Sequence, residues 1–437
     1  MAHETAPDRN MERRVRGLFL GGFAGPELPG SVASALRDGL RGVVLFAGNV
    51  ADREQVAGLT RQVHAVWGEG VSAAGADAGG GCLVGIDQEG GRVARLREGF
   101  WVPSAMRELG AMAEPGALEL AREVGRVLAG QLRWCGVNLN FAPVLDVDTN
   151  PANPVIGSRS LSADPQRVAA LGVALTRGLQ EGRGGAGPGG ALSGDAARWA
   201  GVAACGKHFP GHGDTHQDSH LTLPRLPHDR ARLERVELVP FRAAIAGRVA
   251  GQAELSEPIA SLMTAHVVFE ALGETRPATM SRGVIDGLLR QELGFGGVVV
   301  SDDLEMKAIA DHYPIGEVAV SAIDAGVDLL LCCHHLELIE QAVSAVLEAV
   351  ASGRLSRQRI ESASRRVDAM ARRYRVDLSQ VGGDYTAVRE AEARVAARWA
   401  ELAGAVGQES EAGDQSAAGD PTEVLRAAGG NPYHGGA

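Results

Sequence analysis

The chain has 437 residues, with 43 Lys and Arg against 54 Asp and Glu, so its formal net charge is −11 at pH 7. Hydrophobic residues make up 45% of the sequence, which indicates a globular protein with a substantial core and argues against a disordered chain. The acidic balance, without any basic block, argues against a nucleic-acid binder or a membrane-surface binder.

The first residues are polar and of mixed charge, and we interpret 1–11 as an N-terminal extension without the apolar core of a signal peptide. No run approaches the ~20 apolar residues of a transmembrane helix. The five cysteines form no CxxC pair, which favours buried free thiols in a reducing compartment. We therefore expect a cytoplasmic protein.

Eight short apolar runs recur along the chain, each too short for a helix and typical of a strand buried on both faces. The runs are Val15–Phe23, Gly42–Ala47, Cys82–Ile86, Val137–Val147, Val202–Gly206, Ser261–Val268, Gly297–Val300 and Val327–Cys333. Amphipathic stretches between them predict the helices Arg53–Trp67, Ala117–Trp134, Pro165–Gln180, Arg230–Ala246 and Leu336–Ala351.

This alternation predicts an α/β fold, a single (β/α)8 barrel of the TIM type that covers residues 12–380. An open doubly wound sheet is the alternative, but the first strand lacks the GxGxxG turn typical of it.

Four segments are expected to depart from the barrel core. The Gly- and Ala-rich segments 68–81 and 182–201 predict flexible surface insertions. Residues 381–403 predict a C-terminal helix that packs on the barrel. Residues 404–437 are polar and Gly-rich, and we expect them to be disordered.

A barrel places its active site just after the strands, so polar residues should follow the apolar runs. Six of the eight runs end in this way. The residues are Asp87, Asp146, Asp148, Lys207, His208, His266, Asp302, Asp303, His334 and His335.

The segment KHFPGHGDTHQDSH at 207–220 holds four of the twelve histidines of the chain. Its glycines and Pro210 predict a loop, so these groups can converge on one pocket. Asp218 and His220 are two residues apart, a spacing that lets a carboxylate fix the imidazole tautomer and raise the pKa of the histidine. Such a pair suits general acid/base catalysis.

Two strand ends offer further candidates. Lys207 is one of only two lysines among 43 basic residues, and its compact ammonium suits a sugar hydroxyl or a carboxylate. Asp302, just past an apolar run, is the first polar group there that is able to face the barrel mouth, and it can act as nucleophile, base or ligand. Asp303 could instead cap the following helix.

The segment after the third run, Asp87-Gln88-Glu89-Gly90-Gly91-Arg92, contributes another candidate group. Asp87 could accept bonds from two sugar hydroxyls at the barrel mouth, and Glu89 and Arg92 could form an ion pair. Arg159, in a separate loop, could reach the same mouth.

Together these segments resemble glycoside hydrolase family 3, and within it the β-N-acetylhexosaminidases of the NagZ type. The resemblance runs from about residue 17 to residue 373. It rests on GIDQEGGRVARL (85–96), NFAPVLDV (140–147), IGSRS (156–160), KHFPGHGDTHQDSH (207–220), MTAHV (263–267) and SDDLEM (301–306).

The resemblance implies an exo-acting retaining enzyme that removes terminal non-reducing N-acetylglucosamine (GlcNAc) from peptidoglycan fragments in cell-wall recycling, without a metal or organic cofactor. It implies that Asp302 is the nucleophile and that His220, paired with Asp218, is the acid/base. The residues it assigns to the sugar ring are Asp87, Arg95, Arg159, Lys207 and His208. We expect a monomer or weak oligomer whose partner is a small soluble glycoside.

Two other readings remain open from the sequence. A metal-dependent hydrolase could bind zinc through His208, His212, His216, His220, His266 and Asp302. A non-catalytic sugar-binding barrel would bind the ligand without turnover. The aromatic content of only 4% favours a small polar pocket over a long stacking groove, and so exo action.

Overall fold

Eight parallel strands close into a barrel in which each strand pairs with its two neighbours in chain order. They are β1 (Phe19–Gly21), β2 (Gly42–Leu45), β3 (Leu83–Ile86), β4 (Leu139–Asn140), β5 (Ala203–Phe209), β6 (Ser261–Thr264), β7 (Val298–Asp303) and β8 (Leu329–Cys332). The last strand pairs with the first, Phe19 lying opposite Leu330. The predicted (β/α)8 barrel is confirmed.

This computed structural model describes residues 8–73, 80–181, 201–216, 222–249 and 257–417, with side chains described up to residue 406. Within these ranges thirteen α-helices accompany the strands, together with a π-helix at Gly283–Glu292. The helices are α1 (Arg9–Arg16), α2 (Gly30–Asp38), α3 (Arg53–Ala73), α4 (Met106–Ala111), α5 (Gly116–Trp134), α6 (Pro165–Glu181), α7 (Arg230–Arg235), α8 (Leu238–Ala246), α9 (Lys307–Ala310), α10 (Ile315–Ala325), α11 (Leu336–Ala351), α12 (Arg357–Arg373) and α13 (Thr386–Ala417).

The core has two layers because every barrel strand is buried on both faces. In β7, Val298 and Val300 belong to the apolar cluster inside the barrel, whereas Val299 packs between barrel and helices. In β8, Leu329 and Leu331 point inward in the same way, and Leu330 points outward. This two-sided burial explains why the strands read as continuous apolar runs.

The helix predicted over 230–246 is two helices, α7 and α8. The chain breaks helical geometry at Val236, with φ −123° and ψ −78°. The next residue, Glu237, is buried and accepts a hydrogen bond from Arg232 Nε at 3.1 Å. The break therefore turns a carboxylate inward, and Pro240 fits the first turn of α8, where its missing N–H costs nothing.

Two boundaries differ from the predicted domain limits. Helix α1 begins at Arg9, inside the segment 1–11 that we expected to be an extension, because the Asp8 side chain accepts the Met11 N–H at 3.1 Å and caps the helix. Helix α3 continues to Ala73 inside the expected insertion 68–81. Gly70 packs there against the backbone of Arg37, where a Cβ would lie 2.4 Å from the carbonyl oxygen. Residues 74–79 of this insertion, and almost all of 182–201, lie outside the described residues.

The C-terminal helix α13 begins at Thr386, and its backbone continues to Ala417, past residue 404 where we expected disorder to begin. Alanine, glutamate and glutamine, all good helix formers, are frequent in this extension. The Glu392 carboxylate accepts hydrogen bonds from Gln131 Nε2 at 2.7 Å, Trp101 N at 3.2 Å and Tyr385 Oη at 2.6 Å. These bonds fasten α13 to the barrel.

All five cysteines are free and buried, as predicted. None of the described helices is long and apolar enough to cross a membrane.

Candidate active site

A cavity of about 320 Å³ opens at the carboxyl ends of the strands. Six of the eight predicted site residues line it: Asp87, Arg95, Arg159, Lys207, His208 and Asp302. The other two, Asp218 and His220, lie outside the described residues. The catalytic and sugar-binding roles of all eight residues are predictions.

A small hairpin brings Arg95 beside Asp87. Its strands are Gln88–Gly90 and Val93–Ala94. The Gln88 side-chain oxygen accepts the N–H groups of Arg95 at 2.8 Å and Leu96 at 3.0 Å, and its amide donates to the Leu96 carbonyl at 2.9 Å. Asn140, at the end of β4, bonds both backbone groups of Gln88 at 3.0 Å. The hairpin is therefore fixed to the barrel.

The hairpin turn depends on glycine. Gly90 has a φ of +118°, and a Cβ at this position would lie 2.8 Å from Pro103 Cγ. A larger residue would be both strained and blocked there. The adjacent Gly90 and Gly91 thus serve the turn that carries Arg95 back to the cavity.

Five charged side chains alternate in sign along one side of the cavity, in the order Arg95, Asp87, Lys207, Glu89 and Arg159. We call them the charge row. Arg95 lies 3.2 Å from Asp87, and Lys207 Nζ lies 2.7 Å from carboxylate oxygens of both Asp87 and Glu89. Arg159 binds Glu89 through two bonds of 2.9 and 2.7 Å. Each buried charge in the row thus has an opposite charge beside it.

Burial alone would raise the pKa values of Asp87 and Glu89, but the neighbouring cations outweigh it. Lys207 and Arg95 hold the pKa of Asp87 below its ordinary value. Arg159 and Lys207 lower the pKa of Glu89 to about 2. Against the opposing effect of burial, the two carboxylates raise the pKa of Lys207. Asp87, Glu89 and Lys207 are therefore charged at neutral pH.

The pairing of Glu89 with Arg92 suggested by their proximity in the sequence is wrong. Glu89 pairs with Arg159 and Lys207, whereas Arg92 Nη2 donates to the backbone carbonyls of Val155 and Ile156. Arg159 reaches Glu89 from a separate loop, so sequence distance was a poor guide. Glu89 is the member of the row that is buried and does not line the cavity.

Arg95 has a buried donor without a partner in the described part of the chain. Among the described residues, its Nε is a buried polar atom without a hydrogen-bond partner. Such an atom is costly to leave unsatisfied. Arg95 is also one of the residues that line the cavity.

Asp146, which the sequence marked only as a strand-end carboxylate, orients His208. Its oxygens accept the backbone N–H groups of His208 at 3.2 Å and His212 at 2.7 Å. Its Oδ2 lies 2.7 Å from His208 Nδ1. Despite burial, His208 keeps the pKa of Asp146 below its ordinary value. The carboxylate thus binds one ring nitrogen of a histidine that lines the cavity.

Asp302 lies near the end of β7, and its Oδ1 accepts the Asp303 N–H at 2.9 Å. Burial would raise the pKa of Asp302, but His208 and His266 outweigh that effect and lower it. Asp303 behaves differently. Burial and the charges of Glu305 and Asp302 raise the pKa of Asp303 to about 6. Of the two adjacent aspartates, Asp302 is the one that is ionised across the neutral and mildly acidic range.

Comparison with known proteins identifies the family. Residues 31–370 match the model of the glycosyl hydrolase family 3 N-terminal domain. The chain belongs to glycosyl hydrolase family 3. The resemblance found in the sequence is thereby confirmed, and the chain is an enzyme of the glycoside hydrolase class.

Several relatives of this family 3 enzyme are named as hexosaminidases or N-acetylglucosaminidases. A β-hexosaminidase of Thiobacillus denitrificans is 39% identical over 325 residues, which cover 74% of this chain and 79% of the relative. The structure of a family 3 β-N-acetylglucosaminidase from Paenibacillus sp. superposes with a TM-score of 0.74 at 39% identity, covering 89% of this chain and 68% of that one. The structure of NagZ from Neisseria gonorrhoeae in complex with N-trifluoroacetyl-D-glucosamine superposes with a TM-score of 0.65 at 29% identity. The match covers 89% of this chain and 97% of that one.

Three polar residues at strand ends serve the structure of the enzyme and do not line its cavity. His266 bonds Thr279 Oγ1 at 2.8 Å and the Asp303 carbonyl at 3.0 Å. His335 pairs with Glu305 at 2.5 Å. Asp148 pairs with Arg107.

The apolar part of the cavity wall was not predicted. It includes Phe46, Phe141, Met263, Met306 and Cys333. A polar residue at a strand end stands out in a sequence, whereas an apolar residue that ends an apolar strand does not. Position alone, directly after β2, could have suggested Phe46.

The described residues contain no group of three or more His, Cys, Asp or Glu side chains arranged to hold a metal ion. Of the zinc ligands considered from the sequence, His220 lies outside the described residues. In the described part, His208 is bound to Asp146 and His216 Nδ1 lies 3.1 Å from Asn150 Nδ2. The described side chains thus offer no ligand set for the metal-dependent alternative.

Proposed function

We propose that this family 3 enzyme is an exo-acting retaining β-N-acetylhexosaminidase that releases terminal non-reducing GlcNAc. One observation carries the proposal: a small cavity with the charge row on one side and the ionised carboxylate of Asp302 on another. At about 320 Å³, it is near the lower end of the ~300–1,000 Å³ typical of ligand pockets. One sugar ring suits such a volume better than a polysaccharide chain does.

The polar walls support binding of a single ring. The charge row offers carboxylate acceptors and cationic donors side by side, which is what neighbouring sugar hydroxyls require. Asp87, Arg95, Arg159, Lys207 and His208 are the proposed sugar-binding residues. The amino sugar is inferred from relatives named β-hexosaminidase and β-N-acetylglucosaminidase.

The proposed reaction has two steps. In the first, an Asp302 oxygen attacks the anomeric carbon, the glycosidic C–O bond breaks, and the leaving oxygen takes a proton from His220. In the second, His220 removes a proton from water, the water oxygen attacks the anomeric carbon, and the ester bond to Asp302 breaks. Two inversions return the sugar in its original β configuration.

Asp218 is proposed to hold His220 in the tautomer that each proton transfer needs. The two residues are assigned from the family resemblance and from their spacing in the sequence. A histidine donor avoids the repulsion that a second carboxylate would meet beside Asp302.

For the biological setting, we infer soluble muropeptide-like fragments as substrates and a role in cell-wall recycling in the cytoplasm. Five free buried cysteines are consistent with a reducing compartment. The small cavity is consistent with short, soluble glycosides.

The first test is hydrolysis of a chromogenic β-GlcNAc glycoside. We expect Asp302→Asn to lower kcat by roughly 10⁴-fold or more, as removal of a nucleophile does in other hydrolases, and His220→Ala to lower it strongly as well. Asp311→Asn, an exposed aspartate outside the cavity wall, is the matched control and should keep full activity. An Asp302 variant as active as the control would refute the nucleophile assignment.

The second test is chemical. A fluorinated glycoside that slows the second step should leave a sugar attached to Asp302, which peptide mass spectrometry locates. Proton NMR should show β product first. A faster rate on the corresponding β-glucoside than on the β-GlcNAc glycoside would overturn the substrate class, and initial release of the α anomer would overturn retention.

A further inference from the structure

The rim of the cavity carries a ring pair formed by Phe46 and His334, which we call the rim pair. The two ring centroids lie 5.4 Å apart with planes inclined at 34°. Both residues line the cavity, and the His334 side chain is 57% exposed. On the side toward the charge row, the Arg95 guanidinium lies 5.7 Å from the centre of the Phe46 ring. The pair therefore continues the wall of the cavity outward from the row.

The backbone of both members is fixed by buried groups. The Phe46 N–H donates to Asn49 Oδ1 at 2.8 Å, and the buried Asn49 amide donates in turn to the carbonyls of Phe23 and Gly25 at 2.9 and 2.8 Å. The His334 N–H donates to Glu305 Oε1 at 2.7 Å. Because these segments are already fixed, little conformational entropy is lost when their side chains bind a ligand.

The His334 ring lies beside Asp303, with its Nε2 3.6 Å from Asp303 Oδ2, beyond hydrogen-bond distance. Asp303 is itself anchored, since its Oδ1 accepts the N–H groups of Glu305 at 3.1 Å and Cys333 at 3.2 Å. The residue next to Asp302 in the chain thus helps to set the position of the rim pair.

We propose that the rim pair is a leaving-group subsite that takes the apolar face of a second pyranose ring. This inference rests on the proposed function, in which Asp302 attacks the anomeric carbon. The reacting bond then lies on the Asp302 side of the cavity, and β8, which carries His334 just beyond its end, is the neighbour of β7 in the barrel. A leaving group departs outward, past the rim.

The chemistry of the pair fits a sugar better than a charged or extended partner. The C–H groups on one face of a pyranose pack against aromatic rings. Phe141, the other phenyl ring of the described cavity wall, is only 1% exposed and so cannot provide such a platform at the rim. One ring pair accommodates one further sugar ring.

The test compares two substrates with the same non-reducing sugar. Methyl β-N-acetylglucosaminide has no ring in its leaving group, whereas N,N′-diacetylchitobiose has a pyranose. We expect Phe46→Ala and His334→Ala to lower kcat/KM for the disaccharide about five- to tenfold and to change it less than twofold for the methyl glycoside. Phe46→Leu, which keeps apolar volume without a ring, should show the same selectivity.

The controls separate the subsite from folding and from the proposed function. His312→Ala removes an exposed histidine outside the cavity wall and should leave both rates unchanged. Melting temperatures of the variants identify any loss of folded protein. If the wild type hydrolyses neither substrate, the proposed function fails and the subsite with it.

Two results would overturn the subsite alone, with the wild type active on both substrates. Equal losses on the two substrates would show that the rim pair supports the first sugar ring. A changed preference between N-acetyl and N-butanoyl methyl glycosides, without disaccharide selectivity, would place the pair beside the acyl group.

Discussion

Two clusters of buried charge lie at opposite ends of the same barrel. At the carboxyl ends of the strands lies the charge row of Arg95, Asp87, Lys207, Glu89 and Arg159. At the amino ends lies a second cluster, which we call the basal cluster. Its members are Asp328, Arg290, Arg359 and Arg366.

The basal cluster is built around a single carboxylate, Asp328, just before β8. It accepts bonds from all three arginines and also from the Val299 N–H at 3.1 Å. Two of the guanidiniums have further acceptors in the backbone. Arg290 donates to the carbonyls of residues 295 and 297 at 2.9 and 2.6 Å, and Arg359 to those of residues 323 and 327 at 2.7 and 2.6 Å.

The difference lies in what satisfies the cations. Backbone carbonyls hold Arg290 and Arg359, so their donors are committed to the fold. In the charge row, side-chain carboxylates hold Lys207 and Arg95, and the Arg95 Nε has no partner among the described residues. Buried charge at one end of the barrel is therefore bonded within the fold, whereas at the other end it borders the cavity and includes the residues that we propose bind the sugar.

The largest expected effect is on stability, from Asp328→Asn. It leaves three arginines without their shared carboxylate, and breaking a buried pair in this way costs about 3–5 kcal/mol. We expect a corresponding fall in the free energy of unfolding in urea, with kcat/KM of the folded enzyme unchanged. Asp324→Asn, in an exposed pair 3.6 Å from Arg282, is the matched control and should cost under about 1 kcal/mol. Equal costs for the two variants would show that the basal cluster stabilises the fold no more than an exposed ion pair does.

Next in size is the effect of Lys207→Met on catalysis. Loss of a preorganised charged donor should lower kcat/KM by roughly 10²–10³-fold. Lys307→Met, at the only other lysine of the chain, is exposed and should retain wild-type kinetics. A Lys207 variant that loses stability but keeps its kinetics would make the charge row a second structural cluster.

Acid should destabilise the enzyme through Glu89. Its pKa is about 2, below the ordinary 4.5, so it stabilises the folded state above pH 4.5 and this stability is lost as the pH falls toward 2. The contribution is on the order of 3 kcal/mol. Urea unfolding at pH 5, 4 and 3 should show a weaker pH dependence for Glu89→Gln than for the wild type.

Asp303 provides a control of opposite sign. Its pKa of about 6 is above the ordinary 3.8, so its contribution to stability falls as the pH rises through the range from 3.8 to 6. Asp303→Asn should remove that fall and leave the acid-side loss intact. The same change of slope in both variants would contradict the assignment of the two carboxyl groups.

The smallest effects should come from single arginines of the basal cluster. Arg366, with 34% of its side chain exposed, makes one bond to Asp328, and Arg366→Gln should cost about 0.5–1 kcal/mol. Arg290→Gln should cost more, because it also strips two backbone carbonyls of their donor. Neither variant should change kcat/KM, and a kinetic effect of either would show that the basal cluster communicates with the cavity.

The barrel itself was predictable because its strands are buried on both faces and therefore read as apolar runs. Asp87, Lys207 and Asp302 could be placed at its mouth because each follows or ends such a run. The partners of Glu89 could not, since Arg159 and Lys207 are distant in sequence and the nearby Arg92 was chosen instead. Phe46 was missed because an apolar residue directly after an apolar strand is marked only by its position. Strand periodicity thus locates side chains, whereas pairing between loops depends on the completed fold.

The pairing of Phe19 with Leu330 has a consequence for synthesis of the enzyme. During translation, β1 emerges early but lacks its second partner until β8 has left the ribosome. Contacts so far apart in sequence form slowly, and an unpaired strand edge invites association with other chains. The edge of β1 that pairs with β8 therefore stays unpaired for most of the synthesis of the chain. We expect the yield of folded enzyme to depend on chaperones even though the finished enzyme is stable.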